Sequence, residues 1–289
     1  MEQERIVIFG ASNARGRDES RDLNYYSSNL LKALYDRNPH VSVTDQEIVF
    51  DLREKPYLAE GDPIYNKGIS GNTVPELLHR FPRDVLELYP SKVFIWPALN
   101  DIELSLSAWE GKRNSWSRKG PDYRNPHGMY LNVVDRCESI DEALEAISDT
   151  IFGYIGRMIS LSLENHITPV IGTIPPFGSL LSGATHPYWT FRRTKGSRLI
   201  EIVNAHIVGS IDPDRGVYVA DVYNALVDEA TGLQKPQFSY GTTHDREDVL
   251  HLNDEGQMMV VAVLCHVLFK RTVKFLSPTG REISWGYQT

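Results

Sequence analysis

Cysteine is nearly missing from the chain. Cys137 and Cys265 are the only two in 289 residues, and neither lies in a CxxC, so a disulfide framework and a cysteine zinc cluster are both excluded and the two thiols read as packing residues. Basic charge is in deficit as well: 30 Lys and Arg stand against 38 Asp and Glu, a net charge of −8. That is the wrong sign for a general nucleic-acid binder, whose surface must displace counterions from phosphates. No apolar run approaches the ~18 residues of a spanning helix. The amino terminus, MEQERIVIF, has no basic segment leading into an apolar stretch and a small-residue cleavage site, so no secretory signal is read and a cytoplasmic location is expected. What remains is ordinary globular composition, 41% hydrophobic and 24% charged. The length suits one large α/β domain, residues 1–289, with insertions.

Short apolar runs alternate with longer helical patterns, the signature of a parallel sheet with helices on both faces. The runs predict strands near Arg5 to Phe9, Glu47 to Asp51, Lys92 to Trp96, Pro169 to Thr173 and Val217 to Ala220. Between them SSNLLKALYDRN and NTVPELLHRF read as helices. A third begins at SIDE, where Ser139 and Glu142 form a capping box, and runs to about residue 165. Two more are read in RRTKGSRLIEIVNAHIVG and in NDEGQMMVVAVLCHVLFKRTVKFL. Two intervals break the alternation, at about 103–138 and 175–194. Each follows a strand, so each is expected at the carboxyl edge of the sheet, where open α/β folds bind ligands.

The first strand runs into GASNARG, which fits either a dinucleotide turn or a nucleophile at a strand end. The dinucleotide reading mostly fails. Its fingerprint needs a third glycine close behind the second, but only Gly10 and Gly16 are present. The start Gly-Ala-Ser resembles the short-chain dehydrogenases, yet none of the 14 tyrosines has a lysine four positions on. A P-loop encloses four residues between its glycines, whereas here there are five, and Arg17 and Asp18 replace its lysine and hydroxyl residue. No cofactor and no metal site is therefore expected.

The nucleophile reading asks for a base, a carboxylate to orient it and donors for an oxyanion. DVLH places Asp248 three residues before His251, ahead of the last helix. NKGISGNTV puts Gly71 at a strand-to-helix turn, where a residue without a side chain can present its N–H. VFIWPALND ends a strand with Asn100, whose amide can donate a second bond. Remaining histidines, including His79, His166, His206 and His266, lie in or beside helical patterns without ligand spacing and read as packing or surface residues.

These four stretches, in this order, resemble the SGNH hydrolases of the GDSL-type esterase and lipase superfamily. The blocks map onto Ser12, Gly71, Asn100 and His251, with Asp248 completing a triad. The resemblance extends to the IGTIPP strand end and to VADVYNALVD. It implies a three-layer α/β/α sandwich around a central, mostly parallel five-stranded sheet of flavodoxin-like order. Two departures stand out: Ala11 occupies the aspartate position of the first block, and Ala98 the glycine position of the third. Neither removes a catalytic atom.

The implied chemistry is a two-step acyl transfer. His251 takes the Ser12 proton, the alkoxide attacks an ester carbonyl, and water cleaves the acyl-enzyme, with the N–H groups of Ser12 and Gly71 and the Asn100 amide forming the oxyanion hole. No long hydrophobic lid helix is read, which favours a short acyl group. The aromatic intervals are the candidates for substrate binding. Trp109, Trp116, Tyr123 and Tyr130 would form a wall for sugar rings, while Phe177, Tyr188 and Trp189 would line the acyl side. The expected partner is a small-molecule or carbohydrate ester, with no nucleic acid and no membrane span. Three alternatives stay open: the same triad serving an acyltransferase, a non-catalytic carbohydrate-binding or interaction module, and a Ser12 that merely caps the first helix.

Overall fold

The computed structural model describes residues 5–15, 41–51, 64–111, 126–177, 187–238, 252–276 and 282–285. Five parallel strands make the central sheet: β1 (Ile6–Gly10), β4 (Ile64–Gly68), β5 (Lys92–Trp96), β6 (Thr168–Gly172) and β7 (Tyr218–Ala220), in the spatial order β4-β1-β5-β6-β7. This is the flavodoxin-like order, whose switch point falls between β1 and β5. Alternation along β1 sends side chains to two cores. Val7 and Phe9 pack in one with helices α2 (Val74–Asp84), α3 (Leu99–Trp109), α4 (Pro126–Val134), α5 (Ile140–Glu164) and α6 (Pro187–Ser210). Ile6 and Ile8 pack in the other with Ala14 of α1 (Ser12–Arg15), α7 (Val222–Leu226) and α8 (Asp254–Phe269). The expected three-layer sandwich is the observed one.

A second sheet extends the second core. It comprises β2 (Val41–Val43), β3 (Glu47–Asp51), β10 (Thr272–Leu276) and β11 (Glu282–Trp285), in the order β11-β10-β3-β2. The short hairpin of β8 (Val227–Asp228) and β9 (Leu233–Gln234) lies between the two sheets in the chain. Ile48, Phe50, Val273 and Phe275 turn inward from the second sheet, and the Phe50 and Phe275 rings stack at 4.8 Å. This explains α8. Met258 to Cys265 are buried without a break, as expected of a helix apolar all round, because the central sheet covers one side and the second sheet contributes to the same core.

Several expectations shift. Glu47–Asp51 is a strand, but it belongs to the second sheet, and the fifth central strand is Ile64–Gly68. That strand, IYNKG, is an edge strand with polar Asn66 and Lys67, so no apolar run marked it. The last predicted helix stops at Phe269. Lys270 is left-handed at φ 56°, and TVKFL pairs as β10. The interval 103–138 is not all loop, since α3 runs through its start and α4 lies within it. The interval 175–194 ends inside α6. The Ser139 hydroxyl caps α5 by accepting from Glu142 N, but the Glu142 carboxylate takes Glu138 N and so does not close the box on the cap residue. SSNLLKALYDRN lies outside the described residues. Among those described, no helix is long and apolar enough to cross a membrane.

Candidate active site

Backbone register brings three of the four blocks to one edge. Gly10 pairs with Gly68 on one side and Trp96 on the other, so the carboxyl ends of β4, β1 and β5 stand side by side at the switch point. Ser12, Gly71 and Asn100 follow these ends within a few residues, and each is partly exposed. The approach is tight. A Cβ on Gly10 would sit 2.3 Å from the Trp96 carbonyl oxygen, and one on Gly68 would sit 2.2 Å from Arg15 N. Both positions therefore require glycine, and α1 can rest directly on the end of β4. The Asn66 side chain fastens that contact, donating to Ala14 O at 2.9 Å and accepting from Gly68 N at 2.9 Å.

Ser12 is the first residue of α1 rather than its cap. Arg15 N donates to Ala11 O at 3.0 Å, so Ala11 holds the capping position, and the reading of Ser12 as a cap residue does not fit.

Gly71 has φ 83°, a left-handed conformation open to glycine at little cost. Asn100 Nδ2 donates to the Asn72 carbonyl at 2.9 Å. One amide proton is thereby anchored beside the Gly71 turn, and the other has no partner among the described residues. Ala98 caps α3 at φ 83° and is buried. It carries the strain that the glycine expected there would avoid.

Behind these loops lies Arg80, a buried residue of α2. Its guanidinium donates to Gly10 O (2.8 Å), Lys67 O (2.8 Å), Asn72 Oδ1 (2.7 Å) and Asp84 Oδ2 (2.7 Å), with its plane over the Phe9 ring at 4.2 Å. One fork thus holds the ends of β1 and β4 and the residue that anchors Asn100. Burial lowers the Arg80 pKa, opposed by Asp84. Burial alone would raise the Asp84 carboxyl, but the bonds from Arg83 and Arg80 outweigh it and hold it below the usual range. Nothing in the sequence distinguished Arg80 from any other amphipathic-helix arginine.

Asp101, next to Asn100, is fully buried. Val74 N donates to both its oxygens at 3.1 Å, and the Tyr130 hydroxyl donates to Oδ1 at 2.6 Å. Burial drives this carboxyl up to about 7 against the lowering by Tyr130 and Val74, and nearby Glu76 adds to the rise. Tyr130 is itself raised well above its ordinary value by burial and by Asp101, so its hydroxyl stays a donor.

Tyr130 corrects the proposed aromatic wall: its ring is 0% exposed and has no face for a sugar. Trp109 is partly buried against the core, about 14 Å along α3 from Asn100 by helical rise. Phe177 is also in the core, its ring filling the space over Gly196. Trp116, Tyr123, Asp248 and His251 lie outside the described residues, as do the side chains of Tyr188 and Trp189. The flank of His251 is described, however: Leu252 N donates to Asn13 Oδ1 at 3.4 Å, and Gln257 Nε2 donates to Asn13 O at 3.3 Å. Of the other histidines, His206 Nδ1 lies 3.1 Å from Ser148 Oγ, and His266 Nδ1 lies 3.1 Å from Arg271 O. Among the described residues, no group of three or more His, Cys, Asp and Glu could hold a metal.

A flavodoxin-like parallel sheet with the serine, glycine and asparagine blocks on adjacent strand ends defines an α/β protein of the SGNH hydrolase type. The chain belongs to the GDSL-like lipase/acylhydrolase family, whose sequence profile matches residues 8–259. No curated protein sequence matches it significantly. Among solved structures it is similar to a GDSL-like lipase from Bacteroides thetaiotaomicron, with TM-score 0.51 and 17% identity over 93% of this chain and 89% of that one. It is also similar to an acetyl xylan esterase, with TM-score 0.51 and 14% identity over 90% of this chain and 97% of that one.

Proposed function

We propose that this hydrolase is a serine esterase acting on short-chain carboxylic esters, with Ser12 as nucleophile, His251 as general base and Asp248 orienting the imidazole. The observation that carries the reading is the register of β4, β1 and β5, which sets the Ser12, Gly71 and Asn100 blocks at neighbouring strand ends. The bond between Leu252 N and Asn13 supports it from the other side, because it joins the residue after His251 to the residue after Ser12.

In this scheme His251 removes the Ser12 proton as Oγ attacks the ester carbonyl. The developing oxyanion accepts from the N–H groups of Ser12 and Gly71 and from the free proton of the Asn100 amide. His251 then protonates the leaving alcohol, and water, activated in the same way, releases the acid. The donors are preorganised, so they cost little to align at the moment of reaction. A neutral imidazole is needed, so turnover falls on the acid side as His251 protonates.

The test is a p-nitrophenyl series from acetate to palmitate, with acetylated xylan as a carbohydrate ester. The expected result is highest kcat/KM on the shortest acyl groups and loss of turnover in Ser12→Ala. Full activity in Ser12→Ala, or no turnover of any ester, would sink the proposal. Transfer of the acyl group to an added alcohol in preference to water would identify an acyltransferase built on the same residues.

A further inference from the structure

We infer that Tyr130 and Asp101 are positioning residues that fix the separation between the Gly71 turn and the start of α3, which carry two of the three oxyanion donors, an inference that rests on the reading of Gly71 and Asn100 given above. Two adjacent residues of α3 reach across to the turn after β4 and to the first residue of α2. Asn100 Nδ2 donates to Asn72 O, and Asp101 accepts from Val74 N. Gly71 lies immediately before this pair of contacts. The Asn100 contact is a single bond between partly exposed groups and leaves the loops free to pivot. The Asp101 contact is fully buried, takes both carboxylate oxygens and supplies the second point of attachment.

Tyr130 completes the clamp. Val74 N alone cannot satisfy a buried carboxyl group, and the 2.6 Å bond from the Tyr130 hydroxyl adds a strong partner from a third element, α4. The neighbouring carboxylate, Glu76, is engaged elsewhere, its Oε2 accepting from Thr73 N at 2.8 Å and Thr73 Oγ1 at 2.7 Å. Removing the Tyr130 hydroxyl leaves Asp101 under-satisfied in a site it cannot leave. The carboxyl then shifts, and Asn100, its chain neighbour, shifts with it. A displacement near 1 Å is enough to cost about a hundredfold when it misplaces a group at the reacting centre. Tyr130 touches neither substrate nor nucleophile in this scheme and acts only through Asp101 and Asn100.

Two measurements on Tyr130→Phe and Asp101→Asn test the clamp, the second variant carrying the comparison if the first does not fold. Hydrogen exchange of the Asn100 side-chain amide, assigned by its loss in Asn100→Ser, should speed up at least fivefold in both variants, while the backbone amide of Phe275 in the second sheet keeps its wild-type rate. An unchanged Asn100 rate overturns the proposal. With p-nitrophenyl acetate, kcat should fall at least tenfold at nearly constant KM, and the Tyr130→Phe loss should vanish in an Asn100→Ala background. A Tyr130→Phe effect that simply adds to that of Asn100→Ala overturns the proposal too. If Ser12→Ala is as active as wild type, the functional reading fails, and the exchange measurement still decides the clamp by itself.

Discussion

Asn13 accepts a hydrogen bond from Leu252 N at 3.4 Å, joining residues 239 positions apart in the chain. The backbone of Asn13 takes a second bond from the buried Gln257 side chain at 3.3 Å. The proposed nucleophile and base are the immediate predecessors of Asn13 and Leu252, so this contact ties together the residues that follow them.

Asn13→Ala removes the side-chain half of that link. The lost bond is long, and its net contribution to stability is on the order of 1 kcal/mol, so urea unfolding should shift only slightly. Turnover of p-nitrophenyl acetate should nevertheless fall at least tenfold, because Leu252 no longer has its anchor. Wild-type turnover in Asn13→Ala would show that the link does not govern the site.

Asn100→Ala separates catalysis from folding more sharply. It deletes one part-buried bond, to Asn72 O, yet the loss of an oxyanion donor raises a transition state by roughly 2.7–4 kcal/mol. A drop in kcat of about two to three orders of magnitude with little change in melting temperature is expected. A loss of stability matching the loss of rate would make Asn100 a structural residue.

Arg80→Met keeps much of the side-chain volume over Phe9 but leaves Asp84 without its buried partner and takes a donor away from Gly10 O, Lys67 O and Asn72 Oδ1. Breaking a buried ion pair from one side costs about 3–5 kcal/mol, which thermal unfolding should register as a large fall in melting temperature. Arg80→Lys should restore little, since an ammonium lacks the planar fork that reaches several acceptors at once. Recovery of wild-type stability in Arg80→Lys would reduce Arg80 to a charge partner for Asp84.

Asp101 gives the protein a pH dependence with a definite sign. Its carboxyl titrates at 3.8 when unperturbed and at about 7 when folded, so the folded state holds a proton that the unfolded state releases across that window. The contribution is fully present below about pH 4 and is lost as pH rises to about 7. Asp101→Asn removes this titration. Its melting temperature relative to wild type should therefore climb between pH 5 and pH 8. A constant difference across that range would mean that Asp101 does not titrate there.

Much of the fold is local enough to read from the chain. The alternation along IVIF and KVFIW, the serine cap of α5 and the turn chemistry after each strand are set by neighbours within a few residues, as are the four blocks that placed the chain with the SGNH hydrolases. The edge strand Ile64–Gly68 was invisible because an edge need not be apolar. The end of α8 was misjudged because the apolar run continues past Lys270 into a strand that only the second sheet selects.

Strand, turn and motif are short-range patterns, so the candidate residues and the order in which they come can be read along the chain. What supports them is set by packing. Tyr130 looked like a surface aromatic until α4 buried it against Asp101, and Arg80 looked like an ordinary helix arginine until two strand ends turned their carbonyls toward it. A hydrogen bond between distant segments leaves no periodic trace in the chain, because its partners are chosen by packing and not by spacing.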